Sequence, residues 1–363
     1  MPKSVTKTCG ILTSGGDAPG LNAAIRGVAR TAIDVYGMKV IGFEHGYRGL
    51  IENKSRILQP SEFSGILAMG GTILGTSREK PFKDKNWVSD AGLGAVDMIK
   101  ENYKKMELDC LVVLGGNGTN TTGYLLSQEG LNVIGLPKTI DNDIVETDIT
   151  FGFHTALCVA TDAIDRLHST ASSHNRVMVI EVMGHKAGWL SLYSGVAGGG
   201  DVVLLPEIPY NIDSIARHLE ERGRSGKTFS IVVVAEGALS VEEAKMERKA
   251  FKKAREAMSG MGSIGYRVAR EIEAATGLES RVTVLGYLQR GGTPVAFDRV
   301  LASQFGTAAA NMLAEGDYGK MVALQDNCLV GVPLEKIANR IKSVPLDHRM
   351  IETARDVGTC LGD

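Results

Sequence analysis

The chain has 363 residues, 44% of them apolar, which is enough to bury a large core and to fill roughly two domains of ordinary size. Forty basic residues stand against forty-two acidic ones, a formal charge of −2, which excludes the global field that holds nucleic acid or an anionic membrane; any anion has to be captured locally. Cys9, Cys110, Cys158, Cys328 and Cys360 are odd in number and far apart, which suits reduced packing thiols in a cytoplasmic protein, and neither a secretory leader in MPKSVTKTCG nor an apolar run of about 20 residues points to export or a membrane.

The first predicted strand, TCGILTS, runs through a glycine-rich turn into a helix over APGLNAAIRGVARTAI, with Pro19 near its first turn. In this stretch Gly15 and Gly16 let backbone N–H groups come close to a phosphate, and the helix start favours negative charge. A second strand, CLVVLGG, leads into NGTNTTGYLLSQ, where Gly116 and Gly118 bracket Asn117 and Thr119 offers a further oxygen. Two such turns would face one polyphosphate. The strand at NVIGLP ends in PKTIDND, which places Lys138 ahead of Asp141 and Asp143. If residues 141 to 143 stay extended, the two carboxylates project to the same side and raise each other's proton affinity unless a cation lies between them. One arrangement then has Asp143 serving Mg²⁺ while Asp141 accepts a proton; the other reading is an aspartate-rich turn with local hydrogen bonds.

Polar letters VETD at 145 to 148 suit a domain change near residues 144 to 152. Beyond it, RVMVIEVMG and FSIVVVAEG continue the alternation of strand and helix, which argues for an α/β fold of parallel sheets that bind ligands beyond the carboxyl ends of their strands. The GKT at 226 to 228 lacks the first glycine of a Walker loop and leads into a strand, and the charge-dense stretch 238 to 262 reads as a solvated helical face. Arg78, Arg176, Arg281 and Arg290 stand at element ends; as a set beside glycine turns they suggest a phosphate-bearing substrate, since guanidinium pairs with phosphate bidentately.

Taken together, GGDAPGLNAAIRG, GGNGT, PKTIDND, HNRVMVIEVMG, AGGGDVVLLPE and VLGYLQRGGTP occur in an order that resembles the phosphofructokinase family over roughly residues 8 to 300. The resemblance implies two Rossmann-like three-layer α/β/α domains with largely parallel sheets and an active site in the interdomain cleft. Residues 1–152 with about 289–340 would form the larger, phosphoryl-donor domain, and 153–288 with about 341–363 the smaller, sugar-phosphate domain. It implies transfer of the terminal phosphoryl group of ATP to the 1-hydroxyl of fructose 6-phosphate, with Mg²⁺.

By the match Asp141 is the base, Thr139 lies beside it, and Asp143 with Asn117 holds the metal. Gly15, Gly16, Arg78, Gly116, Asn117, Gly118 and Thr119 face the donor. Lys138, Thr139, Asp141, Met183, Gly184, His185, Glu236, Tyr287 and Arg290 face the sugar phosphate, and Arg176 and Arg281 reach in from a neighbouring subunit, which implies a homo-oligomer, dimer or tetramer. Three positions depart from the pattern. Asn117 replaces an acid near the metal, His185 replaces an arginine, and Tyr287 stands where many relatives have histidine. If the His185 segment is helical, Lys186 points away from it and is no substitute. Pyrophosphate is the alternative donor: Gly118 leaves room for a nucleotide, whereas Lys138 is typical of the pyrophosphate branch. A non-catalytic nucleotide or sugar-phosphate sensor is the alternative of another class. Arg26, Arg30 and Lys227 match only part of an effector site.

Overall fold

Three strands that are buried on both faces start the structure, a computed structural model that describes residues 2–83, 87–89, 92–247, 249–250 and 262–363. They are β1 (Thr8–Thr13), β4 (Cys110–Gly115) and β5 (Val133–Thr139). Their near-continuous apolar letters belong to parallel strands covered on each side. Alternate residues feed two separate cores: Ile11, Val112, Ile134 and Leu136 face one, and Leu12, Val113 and Val133 face the other.

With β2 (Lys39–Phe43), β3 (Ser55–Ile57), β6 (Phe151–Gly152), β11 (Lys320–Gln325) and β12 (Cys328–Pro333), they form an eight-stranded sheet. Its order is β12-β11-β5-β4-β1-β2-β3, with β6 paired to β5. The interior is parallel, and antiparallel pairs, β2 with β3 and β11 with β12, close the two edges. Pro137 stands inside β5, where a missing N–H would normally break a ladder. There β5 has left β11, which it pairs at Ile134 and Gly135, and has not yet met β6, which it pairs at Lys138 and Thr139, so the N–H is not required.

Helix α1 (Leu21–Arg30) packs with the helix Ala296–Glu315 on one face of this sheet. Helices α2 (Tyr47–Glu52) and α3 (Ala95–Lys105) contribute to the core on the other, and α4 (Asn117–Gln128) follows β4 there. Helix α5 (Phe153–His174) leads into a second sheet, wholly parallel, of order β10-β7-β9-β8. Its strands are β7 (Val177–Val182), β8 (Val202–Leu204), β9 (Ser230–Ala235) and β10 (Ser280–Val284), and helices Ile212–Arg224 and Ile264–Thr276 cover one side.

The chain divides into two compact units. Unit 1 comprises Met1–Ile140, Ile144–Thr155 and Arg290–Ile341, and unit 2 comprises Asp141–Asp143, Ala156–Gln289 and Lys342–Asp363. Most of the second half of the charge-dense stretch 238 to 262 lies outside the described residues; in its first half Ser240 and Glu243 form a reciprocal capping box at the short helix Val241–Ala244. Among the described residues no helix is long and apolar enough to cross a membrane.

Candidate active site

Strand order in unit 1 reverses at β1, which pairs β2 on one side and β4 on the other, so the loops after β1 and β4 part company and leave a crevice at their carboxyl ends. The turn after β1 is strapped down. The Ser14 N–H donates to the Leu114 carbonyl at 3.0 Å, the Gly15 N–H to the Ser77 carbonyl at 2.8 Å, and Thr76 Oγ1 to the Gly15 carbonyl at 2.7 Å. These bonds set the exposed Arg78 directly after a residue fixed to Gly15. Gly15 has φ +86°, a left-handed conformation that glycine adopts without strain.

Two expectations change here. The Gly15 amide is committed to the Ser77 carbonyl and so is not offered to a phosphate. Helix α1 begins at Leu21, with Gly20 as its N-cap, so its positive end does not abut the glycine pair. The second glycine turn does meet a helix start: Gly116 is the N-cap of α4, and Asn117 and Gly118 open its first turn. Thr119 is buried, and its Oγ1 donates to the Ser14 carbonyl at 3.2 Å, tying the two glycine turns together. A Cβ placed on Gly118 would meet nothing within 4 Å.

Lys138 is buried, and its Nζ donates to the Gly16 carbonyl. A Cβ on Gly16 would stand 2.6 Å from Arg290 Nη1, so that guanidinium lies against the same turn. Gly15, Gly16, Arg78, Gly116, Thr119, Lys138 and Arg290 thus gather at one edge of unit 1. A cavity of about 250 Å³ lined by Arg48, Glu52, Glu79, Lys80, Trp87 and Ala95 lies in the same unit, next in the chain after Arg78. No sequence signal singled it out, because its lining comes from separated stretches of the chain.

Past Thr139 the chain does not stay extended. Asn142 has φ +50°, a left-handed residue of the kind asparagine tolerates, so the period-two argument that put Asp141 and Asp143 on one side does not hold. The turn is pinned in unit 2, where the Lys342 N–H donates to the Asp143 carbonyl at 2.8 Å and Lys342 Nζ reaches Asn142 Oδ1 at 3.2 Å. Asp143 is buried, and Asp141 is half-buried.

In unit 2 the predicted residues leave the carboxyl ends of β7, β9 and β10. The Met183 N–H donates to Gln289 Oε1 at 2.9 Å, and the His185 N–H to Glu236 Oε1 at 2.8 Å. Gly184 has φ +143° and His185 φ +53°, and a Cβ on Gly237 would fall 2.2 Å from the His185 carbonyl. Such tightly held, sparsely populated backbone is common at functional sites. Residues 183–188 form a turn, and the helix Trp189–Ala197 starts only after it, so the helical argument against Lys186 does not apply. His185 and Lys186 are both exposed.

Tyr287 is 73% exposed on the turn Gly286–Arg290. Arg176 and Arg281 share Glu279: Arg176 Nε meets Glu279 Oε2 at 2.8 Å, and Arg281 Nη2 meets Oε1. The Arg176 hydrogen bond is the main cause holding the Glu279 carboxyl below its usual range. Sequence reasoning named both arginines and missed the glutamate that aligns them.

The family model described as Phosphofructokinase matches residues 8–313. The chain is 64% identical, over all of both chains, to an ATP-dependent 6-phosphofructokinase of Spirochaeta thermophila. It is 46% identical, over 93% of this chain and 96% of the other, to a pyrophosphate–fructose 6-phosphate 1-phosphotransferase of Amycolatopsis mediterranei. Among solved structures, phosphofructokinase from Saccharomyces cerevisiae superposes with a TM-score of 0.78 at 30% identity, covering 91% of this chain and 45% of the yeast chain.

Proposed function

Because the chain belongs to the phosphofructokinase family, we propose that it transfers the terminal phosphoryl group of ATP to the 1-hydroxyl of fructose 6-phosphate, giving fructose 1,6-bisphosphate in glycolysis. The observation that carries this reading is the Lys138 ammonium donating to the Gly16 carbonyl. It ties the end of the strand that delivers Asp141 to the glycine turn that faces the donor. An enzyme of this kind works mainly by positioning and by electrostatic stabilisation.

In this reading the Gly16 amide and the first-turn N–H groups of α4 receive donor phosphates, with Arg78 and Lys138 balancing their charge. Asp141 takes the proton of the sugar hydroxyl as it attacks. Met183, Gly184, Glu236, Tyr287 and Arg290 hold the sugar phosphate, and Thr139 supports Asp141. His185 donates a hydrogen bond where relatives place an arginine.

The donor set fits a hard cation. In this reading Asp143 would supply a buried carboxylate oxygen and Asn117 an amide oxygen, both hard donors. Magnesium is bound in this way, through one or two protein oxygens with phosphates and water completing the shell. When bound, it neutralises charge on the transferring phosphates.

Gly118 supports ATP over pyrophosphate, because an open position there neither crowds nor repels a nucleotide. The reading also makes the protein a cytoplasmic homo-oligomer, in which Arg176 and Arg281, held as a pair by Glu279, serve a neighbouring subunit's site.

A coupled assay with fructose 6-phosphate, magnesium and either ATP or pyrophosphate tests the reaction. Turnover is expected with ATP, and Asp141→Asn is expected to lower kcat by about 10²- to 10⁴-fold. Full velocity in that variant sinks the base assignment, and turnover with pyrophosphate alone reassigns the donor.

A further inference from the structure

Among the described residues Glu181, Glu243 and Asp298 are buried carboxylates outside this scheme, and Asp298 is the most enclosed of the three. Asp298 has no solvent exposure and sits in the first turn of the helix Ala296–Glu315. Its Oδ1 accepts the Gly152 N–H at 2.9 Å, and its Oδ2 accepts the Thr155 N–H at 2.7 Å and Thr155 Oγ1–H at 2.6 Å. Thr155 Oγ1 in turn accepts the Val295 N–H at 3.0 Å, and the His154 ring lies 4.0 Å from that of Phe297, so the two segments lock together at several points.

What Asp298 fixes is the strand β6. Gly152 pairs with Thr139, Phe151 with Lys138, and Thr150 Oγ1 donates to the Thr139 carbonyl at 2.8 Å. Gly152 also presses on the turn after β1: a Cβ there would stand 2.8 Å from Ala18 Cβ and 3.2 Å from the Pro19 carbonyl. One carboxylate therefore holds a glycine that touches both the phosphate-facing turn and the residue two places before Asp141. Burial raises the Asp298 pKa, opposed by the Thr155 and Gly152 hydrogen bonds, so the side chain carries a desolvation cost that a packing role alone does not call for.

We propose that Asp298 is a positioning residue for phosphoryl transfer: by anchoring Gly152 and Thr155 it sets β6 against Thr139 and so fixes the approach of Asp141 to the acceptor hydroxyl. The inference rests on Asp141 being the base. Asn at this position keeps the shape but turns an N–H₂ toward donors, which leaves Thr155 or Gly152 without an acceptor.

The test compares Asp298→Asn, Thr155→Val, Thr155→Ser and Gly306→Ala, the last lowering stability through a helix crossing instead. Each is assayed below its own Tm for kcat and for KM of both substrates. Asp298→Asn is expected to lose about 10- to 100-fold in kcat with both KM values within about two-fold of wild type, as a misplaced reacting group does. Thr155→Val should fall in the same direction, Thr155→Ser should stay near wild type, and Gly306→Ala should keep kcat. If Asp298→Asn does not fold, Thr155→Val against Thr155→Ser decides. Unchanged kcat in the folded variants, or an equal loss in Gly306→Ala, overturns the proposal while an inactive Asp141→Asn leaves the base assignment standing. A fully active Asp141→Asn overturns both.

Discussion

At the scale of single residues, the donor choice turns on what is missing from Gly118. Its Cβ position is open and lies in the first turn of α4, where an acidic side chain suits the helix dipole. Gly118→Asp is therefore expected to keep or raise stability by roughly 0.5–1 kcal/mol, since glycine is itself a poor helix former, and yet to raise KM for ATP by at least about ten-fold through repulsion of phosphate. Thermal unfolding and the coupled assay read the two effects separately. Unchanged ATP kinetics would remove the steric argument for the donor. His185 is one of the three positions that the family resemblance marks as departures. Its backbone is held by Glu236, so His185→Ala should leave the turn in place and lower kcat about ten-fold as one stabilising hydrogen bond is lost. Wild-type kcat in that variant would reduce His185 to a turn residue.

At the scale of whole elements, α1 and the helix Ala296–Glu315 approach backbone to backbone. A Cβ on Gly306 would meet the Ala24 carbonyl at 2.6 Å and the Val28 N at 2.8 Å, and one on Gly27 would meet the Ser303 carbonyl at 2.8 Å. These atoms are backbone and have no rotamer by which to yield. Gly306→Ala is expected to cost about 1–3 kcal/mol, read as a fall in Tm or in denaturant midpoint, because the helices must part. The same helix carries Asp298 in its first turn, so one element both packs the sheet and fixes the start of α5. The glycine pair and the carboxylate acquire meaning only across 279 and 143 residues of chain separation, respectively.

The whole molecule is nearly neutral in formal charge and carries two buried thiols side by side in one sheet. A formal charge of −2 gives no global field for an anion, and Lys138 and Arg290 both lie against the turn at Gly16. Cys9 and Cys110 are fully buried neighbours on adjacent strands, and burial is the main cause that pushes the Cys9 thiol up to about 12 and Cys110 well above its ordinary value. A raised folded pKa gives stability that is whole below the unfolded thiol pKa near 9 and is lost as pH rises toward the folded value. Over that window Cys9 alone accounts for a loss on the order of 4 kcal/mol. Denaturant unfolding across the alkaline range should show a shallower fall for Cys9→Ala than for wild type. Parallel slopes would show that the thiol does not ionise on unfolding.

The sequence by itself determined the α/β class, the parallel interior and the family, because these depend on apolar runs, glycine turns and six ordered motifs that are local in the chain. It also brought Gly15, Thr119 and Lys138 to strand ends, where the sheet then gathers them. Only the tertiary structure decided which backbone groups are still available. Ser77 consumes the Gly15 amide, a left-handed Asn142 undoes the alternation of the two aspartates, and Glu279 and Asp298 draw their roles from partners far away in sequence. The physical reason is that a hydrogen bond or a φ angle at a loop is set by whatever packs against it, and no local pattern of letters encodes that neighbour.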